Sequence, residues 1–210
     1  MKRMIVILGI CLTSMSQTFA DGKIPANVVA LDKAANSYIE IHEVTIGDWN
    51  VYLSYLKEMA GEQALSYQTA FPDDAICLQA YKVNDYLTNP SFQTYPIVGI
   101  TYEQARNYCS WRTDYENRNK KKSNTSVYMY YLPTESDFQN AYDLQKSKTS
   151  VKSISPVDLQ AKGITGLSDN VKEMTENKKV VTGAGATGLR FENYTEAAAN
   201  LGFRCKLIIK

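Results

Sequence analysis

Three times along the chain, an apolar strand-like run stops at a threonine and an amphipathic helical pattern begins. Tyr38-Ile39-Glu40-Ile41-His42-Glu43-Val44 alternates with a period of two and ends at Thr45. Beyond it Trp49, Tyr52, Leu53 and Leu56 fall on one face of a helix. Ile97-Val98-Gly99-Ile100 leads to Thr101, followed by a face of Tyr102, Ala105, Tyr108 and Cys109. Tyr130-Tyr131-Leu132-Pro133 leads to Thr134, followed by Phe138, Ala141 and Tyr142. Three residues after these threonines stand Asp48, Gln104 and Asp137, the reciprocal spacing of a capping box, with the shorter Asp replacing Glu or Gln in two of them.

Between these units the pattern is weaker. Residues 60–94 carry little periodicity, and Phe71-Pro72, Asp73-Asp74 and Asn89-Pro90 mark turns. Glu116 to Ser126 reads as a solvated connecting loop despite its lysines. After the third helix a glycine-punctuated loop, residues 163–177, runs into an alternating segment with Val171, Glu173 and Thr175 on one side. Val180-Val181 opens a strand expected to break at Gly183-Ala184-Gly185, and the chain closes on a short apolar strand after Asn200-Leu201-Gly202-Phe203-Arg204-Cys205. With no internal repeat and no low-complexity linker, the pattern predicts one α+β domain.

The first twenty residues read as a secretory signal peptide: Lys2 and Arg3, an apolar run from Ile5 to Leu12, and Thr18-Phe19-Ala20 before Asp21. That run is too short to span a bilayer, and no other stretch is a transmembrane segment. The expected organisation is therefore leader 1–20, polar lead-in 21–37 and domain 38–210, with the protein exported to the periplasm, the outer membrane or the medium. The formal charge is +1, and without Lys2 and Arg3 it is −1, which gives no footprint for nucleic acid. Tyrosine is over-used, at 15 residues, which suits recognition surfaces as well as β-structure.

Much familiar chemistry is missing. His42 is the only histidine and sits in a strand run beside Glu43, so a histidine-rich zinc site lacks its ligands, a Ser-His-Asp triad is not expected, and His42 reads as structural. Gly183 to Gly188 lacks the Lys-Ser/Thr ending of a phosphate loop. Cys77, Cys109 and Cys205 lie outside the leader. In an exported protein a disulfide is the default for a pair, and closing the loop from Cys109 to Cys205 would contribute about 4 kcal/mol in the chain-entropy model. Cys77 is then a buried free thiol or an intermolecular link.

Five blocks, in order, resemble the formylglycine-generating enzyme, or sulfatase-modifying-factor, family, whose domain is a variant of the C-type lectin fold. They are Glu43-Val44-Thr45, residues 95–111 (YPIVGITYEQARNYCSW), 132–141 (LPTESDFQNA), 163–175 (GITGLSDNVKEMT) and 200–205 (NLGFRC), spread over residues 38–210. The resemblance implies a compact, loop-rich domain and a disulfide between Cys109 and Cys205. It also implies a calcium site at Gly166, Asp169, Val171 and Glu173, where oxygen ligands suit the ion; the alternative is that Asp169, Asn170 and Glu173 only hydrogen-bond the loop. Catalytic members hold copper on two closely spaced cysteines before the last block. No cysteine lies between Cys109 and Cys205, so no copper is expected and no catalytic residue can be named.

The expectation is an exported, non-catalytic module of the bacterial cell envelope that binds other envelope proteins, in the manner of the gliding and secretion components that carry diverged copies of this fold in Bacteroidota. Two alternatives stand beside it: a receptor for a glycan or small ligand on the lectin-like scaffold, and an oxidoreductase of the formylglycine-generating type.

Overall fold

All three threonines start helices. The computed structural model describes residues 24–145, 154–167, 169–185 and 188–210, so the expected leader lies outside the described residues. Thr45 caps α1 (Ile46–Ala60), Thr101 caps α4 (Tyr102–Asn119) and Thr134 caps α5 (Glu135–Leu144), each with both bonds of the capping box formed. The Asp boxes close as fully as the Gln box: Thr134 N–H donates to Asp137 Oδ2 at 2.9 Å, and Asp137 N–H donates to Thr134 Oγ1 at 3.1 Å.

Residues 60–94 hold more order than their pattern predicts, with α2 (Leu65–Gln68), α3 (Asp74–Tyr81) and a 3-10 turn at Pro90–Phe92. These pieces are too short for a face to repeat; local caps define two of them, Asp73 on the Ile76 N–H and Asn89 on the Ser91 N–H. Conversely, residues 97–100 form no regular strand. Gly99 has φ +71°, and the backbone bonds irregularly, Ile97 N–H to Val44 O and Asp73 N–H to Gly99 O. The run is apolar because it is buried, not because it belongs to a sheet.

Two four-stranded sheets complete the fold. The first has the order β1 (Val28–Asp32), β2 (Ser37–Glu40), β8 (Lys206–Ile209), β3 (Tyr128–Tyr131), with every pair antiparallel. Its first strand comes from the expected lead-in, so the described fold begins upstream of residue 38. The second has the order β6 (Gly188–Asn193), β5 (Lys179–Gly185), β4 (Lys172–Met174), β7 (Leu201–Gly202). The expected break in β5 is a register shift between Val181 and Gly183, where φ is +118° at the glycine; the strand carries on to Gly185.

The main core is aromatic. Trp49 of α1 is fully buried and stacks on Tyr108 of α4 with ring centroids 5.4 Å apart, while Tyr52 and Phe203 meet it edge-on. The Trp49 indole N–H donates to Ala70 O at 3.1 Å, tying the irregular segment to α1. A second cluster packs Phe138, Ala141 and Tyr142 of α5 against Ile39, Ile164, Leu167 and Val181. Among the described residues no helix is long and apolar enough to cross a membrane.

β3 is an outer strand, and α4 closes part of its open edge with side chains. Asn117 accepts from Tyr128 N–H at 3.0 Å and donates to Tyr128 O at 2.7 Å, and Thr113 Oγ1 accepts from Tyr130 N–H at 2.8 Å. Asn117→Ala removes two hydrogen bonds from the main chain of Tyr128 and is expected to cost about 2–3 kcal/mol. Urea unfolding checks this, and a loss under about 0.5 kcal/mol, the range of neutral surface changes, would contradict it.

Candidate functional site

The alternating segment ends in β4, and it turns Glu173 inward. The Glu173 carboxylate is nearly fully buried and receives Arg204 through two parallel bonds, Nε–H to Oε2 at 2.7 Å and Nη2–H to Oε1 at 2.9 Å. Arg204 has no exposure. Its remaining donors go to the carbonyls of Glu40 and Ile41, both at 3.0 Å, and of Thr165 at 2.7 Å. A second buried pair lies alongside: Arg112 of α4 meets Glu40 at 2.6 Å and covers the Tyr130 ring at 4.8 Å. The other oxygen of Glu40 accepts from Cys205 N–H at 2.8 Å.

Glu43 is the third buried carboxylate of this group. It stands 3.9 Å from Arg204, and its Oε1 has no hydrogen-bond partner. Its carboxylate fills the place a side chain would take at Gly166, where φ is +76°, which explains why residue 166 is glycine. Burial pushes the Glu43 carboxyl up to about 7, against the pull of Arg204 and with the added push of Glu173. His42 beside it is structural: its Nδ1–H donates to Glu43 O at 2.8 Å.

The four calcium positions lie among these contacts. Both oxygens of Glu173 are taken by a guanidinium, Val171 is buried, Gly166 brings no oxygen beyond its backbone, and Asp169 lies close enough to act electrostatically on Glu173. Among the described residues no group of three or more His, Cys, Asp or Glu side chains could hold a metal ion. Of the four positions, Glu173 spends both of its carboxylate oxygens on a partner inside the fold. The cation beside Glu173 is Arg204, a residue of the chain itself.

The structure brings Cys109 and Cys205 together. Their sulfurs lie 3.5 Å apart as buried free thiols, 96 positions apart in the chain. Cys77 is separate from them: its thiol donates to Val98 O at 3.4 Å, and burial pushes it up to about 11, the behaviour of an inert structural cysteine.

An open feature among the described residues lies beside Cys109. A cleft of about 560 Å³ runs between α4 and the end of β3. Tyr102, Arg106, Cys109, Ser110, Thr113 and Asp114 form one wall, Tyr130, Tyr131 and Leu132 the other, and Glu176 after β4 closes one end. Tyr102 donates its hydroxyl to Glu176 O, and its ring lies under Arg106 at 5.9 Å and Lys178 at 5.0 Å. Arg106 also pairs with Glu103 at 3.4 Å. The expected site residues contribute nothing to this cleft apart from Cys109. The signal that could have found it is a second stripe on α4, Tyr102, Arg106, Cys109 or Ser110, and Thr113, offset from the core face by its polar members.

Comparison with known proteins places the fold. No family model matches the chain, and no curated protein matches it. Among solved structures the chain is similar to the crystal structure of CarF, with a TM-score of 0.52 over 90% of this chain and 95% of that one, at 13% identity. This supports the formylglycine-generating-enzyme-like, C-type-lectin-like fold. At that identity the likeness concerns the fold alone.

Glu43 makes stability depend on pH with a definite sign. Its folded pKa of about 7 lies above its ordinary 4.5, so between these values the native state holds more protons than the unfolded one. Its contribution falls as pH rises through that window and is flat above it. Glu43→Gln should leave stability near pH 4 little changed and raise it at pH 8, by at most about 3 kcal/mol. Thermal melts at the two pH values check this; a lower melting temperature of the variant at pH 8 would contradict it.

Proposed function

We propose that this chain is an exported, non-catalytic binding module of the cell envelope, and that the cleft between α4 and β3 is the surface it presents to a protein partner. One contrast carries the reading. The chemically strongest groups, Glu43, Glu173, Arg204 and the Cys109–Cys205 pair, are buried and face one another, while the cleft offers Ser110, Asp114 and Glu176 to solvent beside tyrosine rings. Internal pairing of charged groups builds a scaffold; exposed polar groups around aromatic surface form a recognition site. Oxidation of Cys109 and Cys205 to a disulfide belongs to the same proposal and would fix α4, one wall of the cleft, to the segment leading into β8.

Cross-linking capture from the native envelope tests it, with the tagged protein compared against Ser110→Arg, a bulky change at an exposed position of the cleft. The expected result is one or two envelope proteins recovered at constant stoichiometry and lost with the variant. Equal recovery with both proteins, or copper-dependent oxidation of a cysteine-containing sulfatase peptide, would overturn the proposal.

A further inference from the structure

The cleft has a main-chain floor. In the antiparallel pairing of β3 with β8, Val127 and Lys210 exchange both of their backbone bonds, so residues 127, 129 and 131 turn their polar groups toward β8. Residues 128, 130 and 132 therefore turn theirs outward, toward α4. Asn117 satisfies Tyr128 and Thr113 satisfies the Tyr130 N–H. Past Thr113 the helix supplies no further side chain to the strand edge, and this is where the cleft opens. The Tyr130 C=O and the Leu132 N–H have no hydrogen-bond partner among the described residues. Both residues line the cleft.

A carbonyl and an N–H two residues apart on one strand edge are what a parallel neighbour uses. One residue of an extended guest donates its N–H to the Tyr130 C=O and accepts from the Leu132 N–H with its own C=O. An antiparallel guest paired at Tyr130 would also use the Tyr130 N–H, which Thr113 holds, so the parallel arrangement is the one that uses the Tyr130 C=O and the Leu132 N–H together without displacing Thr113. The mouth has a charge preference too. Asp114 and Glu176 are exposed with no ion pair among the described residues, whereas Arg106 is paired with Glu103.

We infer that the cleft binds an extended peptide segment of a partner protein, added parallel to β3 at Tyr130 and Leu132, with a basic side chain of the guest directed to Asp114 and Glu176. The inference rests on the binding reading above and names the chemistry of the same site. It differs from recognition of a glycan, which has no main-chain ladder to form.

The test uses the mature protein, isotope-labelled, and an acetylated, amidated pentapeptide of sequence valine-threonine-lysine-valine-threonine. Titration followed by amide NMR is expected to shift the Leu132 N–H and its cleft neighbours. A scan of single N-methylations should find one position that weakens binding about tenfold, the loss of one main-chain bond with its partner left unpaired. Asp114→Asn, a change on the exposed helix surface, should weaken binding about threefold, as should norleucine in place of lysine. Equal binding by every N-methylated peptide would overturn the inference, as would shifts that map outside the cleft, or a neutral oligosaccharide moving Leu132 where the peptide does not. If capture from the envelope depends on Ser110 while the peptide fails to bind, the peptide inference falls and the binding module stands.

Discussion

Arg204 is a cation without access to water, and the fold is arranged so that it is never unpaired. β4 supplies the Glu173 carboxylate, the end of β2 supplies two carbonyls, and the glycine loop supplies a third, so three separated stretches of chain converge on one guanidinium. A buried charge is costly unless its donors are filled, which makes this convergence a condition of folding rather than an ornament of it. Arg112 repeats the arrangement on α4 with Glu40, and Glu40 in turn holds the backbone of Cys205. The two arginines thus register α4, β2, β4 and the segment entering β8 against one another.

That internal pairing separates scaffold from surface. Glu173 spends both carboxylate oxygens on Arg204, and the Cys109 and Cys205 thiols lie against each other 3.5 Å apart. Among the described residues an open cleft lies where α4 leaves β3, lined by exposed side chains such as Ser110, Asp114 and Glu176. The same strand edge is closed by Asn117 and Thr113 in its first half, and among the described residues it meets no further partner beyond Thr113. Outer strands are ordinarily blocked against unwanted partners, so a strand blocked along only part of its length points to use of the remainder.

The sequence was most legible where its information is local. Thr45, Thr101 and Thr134 announce three helices because a cap needs only residues three apart, and the aromatic faces behind them announce the core. It was least legible where the partner lies far along the chain. Glu173 among Asp169 and Asn170 reads as an oxygen-rich loop, and nothing within that loop reveals that Arg204, 31 residues later, occupies both carboxylate oxygens. The strand-like apolar run at 97–100 shows only that it is buried; Gly99 and the pull of neighbouring loops decide that it bonds irregularly. The cleft was only half legible for a similar reason: the polar stripe on α4 marks one wall, but where that helix and β3 diverge is not written in either pattern alone.

The central claim, that Arg204 and Glu173 form one buried unit at the convergence of the fold, is tested most directly by a double-mutant cycle in urea unfolding, with Arg204→Met, Glu173→Gln and the pair together. The account predicts a loss of about 3–5 kcal/mol for Arg204→Met, which leaves a buried carboxylate without its cation, and a double variant clearly more stable than the sum of the single losses implies. Losses that add to within about 0.5 kcal/mol would show two independent side chains and would contradict it.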